Sequence, residues 1–244
     1  MDGSNQGETA MARKPQQEKP EETNREKIIA ALMALLAERR IEEISFGDIA
    51  GRAGLSLADC RAEFGSLLAV LTAEVKEIDR QVLVGGDPEV AGEPPRERLF
   101  DVLMRRLEAL APHKAAIRSL MRSARRNPGL ALALNRMAVR SQQWMLAAAD
   151  MDAAGPRGML RAQGLALLYA SVLRTWVDDE DPGQARTMAA LDRELARGAR
   201  FGALLDDVCG IASVLARLRP GRRWRRRDRE EPRPSPPGEE PATV

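Results

Sequence analysis

The stretch SFGDIAGRAGLSLADCRAEFGSLLAVL, Ser45 to Leu71, constrains the fold more than any other part of the chain. Ser45-Phe46-Gly47-Asp48 and Ser56-Leu57-Ala58-Asp59 each set a serine three residues ahead of an aspartate. In that arrangement the serine oxygen takes an orphan amide of a helix's first turn, and the acidic side chain favours the positive end of the helix. Two such starts eleven residues apart leave room for a short helix, a tight turn and a second short helix. Gly54 falls at the turn, where a residue with positive φ is commonly needed. Short helix, glycine turn and short capped helix follow the pattern of a helix-turn-helix. Ile49, Ala50, Ala53, Leu55, Cys60 and Phe64 would form the small core that holds the pair against a preceding helix.

That preceding helix is TNREKIIAALMALLAERR, which from Thr23 puts Ile28, Ala31, Leu32, Leu35 and Leu36 on one helical stripe. Ser66 can start a further helix, SLLAVLTAEVKEIDRQVL, with Leu67, Leu68, Leu71, Val75 and Ile78 on its apolar side, and VGGDPEVAGEPP ends it. Amphipathic runs follow in RERLFDVLMRRLEAL, in HKAAIRSLMRSARR after Pro112, in PGLALALNRMAVRSQQWMLAAAD and in RGMLRAQGLALLYASVLRTWV. A last helix is expected from Asp181-Pro182, read as a cap and a proline at the first helical position. No stretch reads as a strand. Aromatic residues make up only 3% of the chain while Ala, Leu and Arg abound, which favours an all-α fold. The divisions expected are a flexible arm over 1–22, the helix-turn-helix unit over 23–72, a larger all-helical region over 73–217 and a disordered Arg/Pro-rich tail over 218–244.

Several function classes are not expected. Cys60 and Cys209 lie far apart without a CxxC or a histidine pattern, so both read as reduced thiols. The amino terminus has no apolar secretory core. The most apolar run, AQGLALLYASVL, falls short of the roughly 20 residues of a membrane span. The chain therefore reads as soluble and cytoplasmic. His113 is the single histidine, reads as exposed at a helix start, and leaves little scope for a catalytic triad. VGGDPEVAG lacks the Lys-Ser/Thr of a phosphate loop. Asp178, Asp179, Glu180 and Asp181 read as a helix end and its cap, so no metal and no cofactor is expected.

The amino-terminal unit resembles the tetracycline-repressor (TetR) family of regulators. The matching residues are Ile28, Ala31, Phe46, Ile49, Ala50, Ala53-Gly54-Leu55-Ser56, Phe64 and Ser66, then Leu68 and Leu71. The resemblance covers about 25 to 75. It implies a DNA-binding transcriptional regulator, a repressor, built as a homodimer. Its last two long helices would form a four-helix bundle with a partner's. It further implies a small apolar or amphipathic ligand held among the helices of about 95 to 177, which sets the spacing of the two heads. Leu103, Leu120, Trp144, Tyr169 and Trp176 are the candidates to line that pocket, though the three aromatics read equally as core or dimer-face residues.

On the DNA side the implied contacts are Arg25, Lys27, Ser45, Ser56, Leu57, Ala58, Arg61 and Ala62. Arg61 stands where the family usually has a phosphate-contacting tyrosine, and Leu67 where it usually has a lysine. From Ser45 to Ser66 the charges are Asp48, Arg52, Asp59, Arg61 and Glu63, slightly negative in sum, which is poor for a surface facing phosphates. Leu57, Ala58 and Ala62 can touch only thymine methyls. Much of the affinity for double-stranded DNA should therefore come from Arg13, Lys14, Lys19, Arg25 and Lys27, since such basic arms can enter the minor groove.

A second stretch, RTWVDDEDPGQARTMAALDREL, is similar to the carboxy-terminal region of the ubiquinone-biosynthesis accessory proteins. It shares Trp176, Asp178-Asp179, Thr187-Met188 and Leu191-Asp192-Arg193 with them. That likeness implies a lipid-binding, membrane-peripheral accessory protein with a vestigial head. The tail FGALLDDVCGIASVLARLRPGRRWRRR sets an apolar face beside a polybasic cluster with Trp224, a composition suited to an anionic membrane surface.

Overall fold

Thr23 begins the first helix with a capping box: its hydroxyl accepts from the Glu26 amide, and the Glu26 carboxylate takes the Thr23 amide at 2.8 Å. Helix α1 (Asn24–Glu38) then buries the whole stripe Ile28, Ala31, Leu32, Leu35 and Leu36, with Met33 beside it. The computed structural model describes residues 22–86, 90 and 92–198, which lie within one unit of the fold. After α1 a 3₁₀ turn (Ile41–Glu43) leads into α2 (Phe46–Ala53), α3 (Leu57–Glu63) and α4 (Leu67–Val84). These are followed by α5 (Pro95–Leu110), α6 (Lys114–Ala124), α7 (Pro128–Ala148) and α8 (Gly155–Trp176). A further helix, α9, begins at residue 185 and runs through 198. Among the described residues there is no strand, and the fold is all-α. The arm, Cys209 and the tail lie outside the described residues.

Two apolar cores share α4. Val70, Leu71 and Ala73 pack into the core of α1–α3, while Ile78 and Val82 pack with α5, α7 and α8. The expected division between 72 and 73 therefore falls inside one continuous helix. The first core is also not confined to the amino-terminal unit, because Ala116 of α6 and Leu130 of α7 belong to it. The apolar side of α4 needs correction as well. Leu68 faces solvent and Val75 is only half-buried, because Val70, Ala73 and Val82 take the inward positions.

Helix α6 fixes the head onto the larger region. At its carboxy-terminal half the Ser119 hydroxyl donates to the Arg39 carbonyl at 3.0 Å and the Ser123 hydroxyl to the Glu42 carboxylate at 2.9 Å. At its amino-terminal half Lys114 and Arg118 donate to the Asp179 and Val177 carbonyls just past α8. His113, expected to be exposed, is half-buried with Nε2 3.0 Å from the Glu74 carboxylate of α4.

The start of α9 departs from the expectation. Asp181-Pro182 is not its cap and first residue. Gln184 takes a positive φ of 50° and the helix begins at 185. The Asp181 carboxylate accepts from the amides of Gly183 and Ala185, both at 3.2 Å. The buried Asp179 carboxylate accepts from the Thr187 amide at 2.9 Å and its hydroxyl at 2.6 Å. Those bonds, the Thr187 hydroxyl first, hold the Asp179 carboxyl below its ordinary value. A group depressed in the folded state stabilises above its unfolded pKa, and that stabilisation is lost as pH falls from about 4 through the folded value. Asp179→Asn is expected to melt lower than the parent at pH 7 and to lose less on acidification toward pH 3. Parallel melting curves across that range would contradict this role for Asp179.

Candidate nucleic-acid interface and ligand domain

Both short helices of the head start in the capping boxes that their serines and aspartates specify. The Ser45 and Ser56 hydroxyls accept from the amides of Asp48 and Asp59 at 3.2 and 3.1 Å. In return the Asp48 and Asp59 carboxylates take the serine hydroxyls at 2.6 and 2.7 Å and the serine amides at 2.8 and 3.1 Å. Gly54 closes α2 at φ 67°, ψ 32°, a left-handed conformation that any side chain would strain. The amides of Gly54 and Leu55 both return to the Ala50 carbonyl.

Cys60 roots α3. It is fully buried, and burial, the largest cause, pushes its thiol up from the ordinary value. The opposite side of α3 is open. Leu57 is 59% exposed, and Ala58, Arg61 and Ala62 also face solvent. The four residues named for base and phosphate contacts on α3 thus share one free face.

The electrostatics of the head are less favourable to a phosphate surface than its shape. Ser45 and Ser56 have committed their hydroxyls to carboxylates, and those carboxylates occupy both helix starts. Hydrogen bonds from Ser45, and then Arg39, hold the Asp48 carboxyl far below its usual range, and Ser56 lowers Asp59 in the same way. Both remain charged at neutral pH. Arg25 lies over the Phe64 ring at 4.6 Å and 3.9 Å from the Glu63 carboxylate. Arg52 grips Glu38 through two bonds of 2.9 and 2.8 Å, and Arg39 meets Asp48 at 2.9 Å. Arg61 and the half-buried Lys27 make no ion pair among the described residues. Exposed pairs of this kind are weakly held, so phosphate could displace a carboxylate, but each exchange leaves a repelling anion nearby.

The five pocket candidates are not brought together. Leu103, Tyr169 and Trp176 share the core of α4, α5, α7 and α8. Leu120 packs instead against the head's core, because its side of α6 faces α1. Trp144 is 58% exposed, on the side of α7 away from the buried Ser141, Gln142, Met145 and Leu146. A surface cleft of about 350 Å³ is lined by Glu97, Phe100, Met188, Ala189 and Asp192, none of them a candidate.

The same core holds a polar cluster that the sequence reading missed. Arg106 Nη1 donates to Asp79 Oδ1 at 2.6 Å, and the Ser141 hydroxyl donates to the same oxygen at 2.7 Å. The Arg106 guanidinium lies 5.6 Å from the Tyr169 ring centre. Burial raises the Tyr169 phenol above its ordinary value, so it stays neutral. Gln142 is buried beside Ser141 on α7. The signal was available: Asp79 follows Val75, Ile78 and precedes Val82 on one face of α4, and Arg106 lies on the stripe of Leu99, Leu103 and Leu110 on α5. A charge on each of two apolar stripes, with opposite signs, is the pattern of a buried pair.

Among the described residues, helix α8 leaves an apolar face uncovered. Leu160 and Leu167 are 52% and 60% exposed, and Gly164 lies between them on the same face with open space around it.

No protein-family model and no curated protein matches the chain. Solved structures do. A TetR transcriptional regulator from Nitrosomonas europaea ATCC 19718 aligns with a TM-score of 0.57 at 22% identity, over 72% of this chain and 98% of that one. A TetR transcriptional regulator from Rhodococcus sp. RHA1 aligns at 0.49 and 18% identity, over 72% and 95%. A TetR-family regulator from Streptomyces coelicolor aligns at 0.49 and 20%, over 79% and 88%. The first of these likenesses shows that the chain has the TetR fold.

Proposed function

We propose that this protein is a DNA-binding transcriptional regulator of the TetR type, a repressor that acts as a homodimer and responds to a small, largely apolar ligand in the domain of α5–α8. The observation that carries the reading is α3: Cys60 anchors one side while Leu57, Ala58, Arg61 and Ala62 stand free on the other. A helix held at a fixed angle with a free outer face suits the major groove. The uncovered Leu160–Gly164–Leu167 face of α8 supports a second copy as its partner, since a contiguous apolar helix face in a regulator of this shape is suited to burial. The basic residues Arg13, Lys14 and Lys19 of the arm would supply charge that the head lacks: between Thr23 and Thr72 there are seven acidic and six basic side chains.

Arg61 is the one cation on the outer face of α3, so it carries the largest share of phosphate contact there. Arg61→Ala is expected to weaken binding about tenfold and to lower the salt slope by about one. An unchanged slope would remove Arg61 from the interface. The function itself is tested by selecting bound duplexes from a random pool with the full chain. Enrichment of an inverted repeat supports a dimeric reader, and a pool that stays random after repeated rounds overturns the reading.

A further inference from the structure

We infer that the outer face of helix α7 docks on an anionic phospholipid surface. Leu132 and Trp144 enter the boundary between headgroups and acyl chains, and Arg136 and Arg140 meet the phosphates. These four residues follow one another at intervals of four, so they form one row along the helix. At the rise of an α-helix the row is about 18 Å long. Leu132 and Trp144 are 52% and 58% exposed, and both arginines also face solvent. Every exposed position of α7 is proline, glycine, alanine, leucine, arginine or tryptophan, so neither an acid nor an uncharged polar side chain dilutes the face. The opposite side of the helix is fixed in place. Leu130 packs into the head's core, and Met145 and Leu146 pack into the core shared with α4, α5 and α8. The row is therefore preformed, and docking needs little ordering of the chain.

The stretch that carries the row is charged in one sense. From Ala109 to Ala149 the chain has seven lysine and arginine side chains and no aspartate or glutamate. Lys114 and Arg118 are held by carbonyls past the end of α8. Arg122, Arg125, Arg126, Arg136 and Arg140 are exposed, and their side chains make no ion pair or hydrogen bond among the described residues. An anionic bilayer answers both halves of this face, because its phosphates take guanidinium groups while its interface accepts tryptophan and leucine. A duplex offers phosphates but leaves Leu132 and Trp144 in water. A second copy laid row against row brings arginine against arginine, with no acid on either α7 to separate them. The α8 face assigned to the second copy is apolar instead, with Leu160 and Leu167 about Gly164.

The test uses the full chain with Trp224→Phe, which leaves Trp144 and the buried Trp176 as its tryptophans. Vesicles of phosphatidylglycerol mixed with phosphatidylcholine should shift Trp144 emission to the blue, and brominated acyl chains should quench it. Vesicles of phosphatidylcholine alone should do neither. Arg136→Gln/Arg140→Gln should weaken the response at least about tenfold, since each cation near an anionic surface contributes about fivefold. The double variant should melt with its parent, because neither side chain has a partner to lose. Leu132→Ser should weaken the response as well. No shift on anionic vesicles, or the same shift on neutral ones, overturns the inference. So does a response that the double variant keeps in full, which would make another part of the chain the anchor. A blue shift that grows with protein concentration without lipid would assign the row to a second copy. Quenching by duplex DNA with no response to lipid would assign it to nucleic acid. Either result overturns the lipid assignment too. Failure of the DNA reading leaves the vesicle outcome untouched, because no duplex is needed for it.

Discussion

Arg106→Met is expected to destabilise the chain by about 3–5 kcal/mol, the cost of breaking a buried ion pair from one side. Asp79 is 6% exposed, and without Arg106 its described partner is the Ser141 hydroxyl alone. For a domain of this size each kcal/mol shifts Tm by roughly 2–4 °C, so the loss should be plain in a thermal melt. The penalty comes from an uncompensated charge. The double variant Asp79→Leu/Arg106→Met should recover most of the loss, because replacing both partners by apolar groups removes the charge altogether. A double variant as unstable as Arg106→Met would show that packing around the guanidinium, rather than the stranded carboxylate, sets the cost.

Trp176→Ala should cost a similar amount, about 3–5 kcal/mol, by opening a cavity in a packed core. Trp176 is 1% exposed and stands at the end of α8, in the core that also holds Leu191 and Leu195 of α9. Lys114 lies 5.3 Å from its ring centre and also donates to the Asp179 carbonyl, while Arg118 donates to Val177. Loss of the indole therefore loosens the junction that seats α6 on the end of α8. Trp176→Phe, which keeps most of the apolar volume, should cost well under half as much. If Trp176→Ala melts within about 1 kcal/mol of the parent, the indole faces ligand space rather than core.

The amino-terminal unit was legible almost residue by residue. Its information is local: a serine and an aspartate three apart define a helix start, and a glycine between two such starts defines the turn. Both capping boxes and the left-handed Gly54 follow those rules. The stripe of α1 was legible for the same reason, since its five apolar residues obey one period. The candidate contacts on α3 were legible as a face, because Cys60 is the apolar position that must point inward. The ion pairs of the head's other arginines were not, because Arg52 of α2 meets Glu38 of α1 and Arg25 of α1 meets Glu63 of α3.

The larger region was legible as helices and much less as a site. Which helix faces meet depends on packing between elements far apart in the chain. Leu120 therefore packs with the head's core, and Trp144, read as a pocket, core or dimer-face residue, lies on the surface. The start of α9 was missed because Asp-Pro is a good local cap. The tertiary bonds from Asp179 to Thr187 decide the first turn instead. The same bonds give Asp179 and Thr187 structural work, so these shared residues need no lipid-related role to explain them.

The most direct test of the account is fluorescence anisotropy of the full chain on its own upstream intergenic DNA and on a scrambled duplex of the same length, across a salt series. Clear preference for the native duplex is expected, with affinity that falls steeply with salt and a shallower slope in Arg61→Ala. Equal, weak binding to both duplexes at every salt concentration would contradict it. The TetR fold would then serve some purpose other than reading DNA.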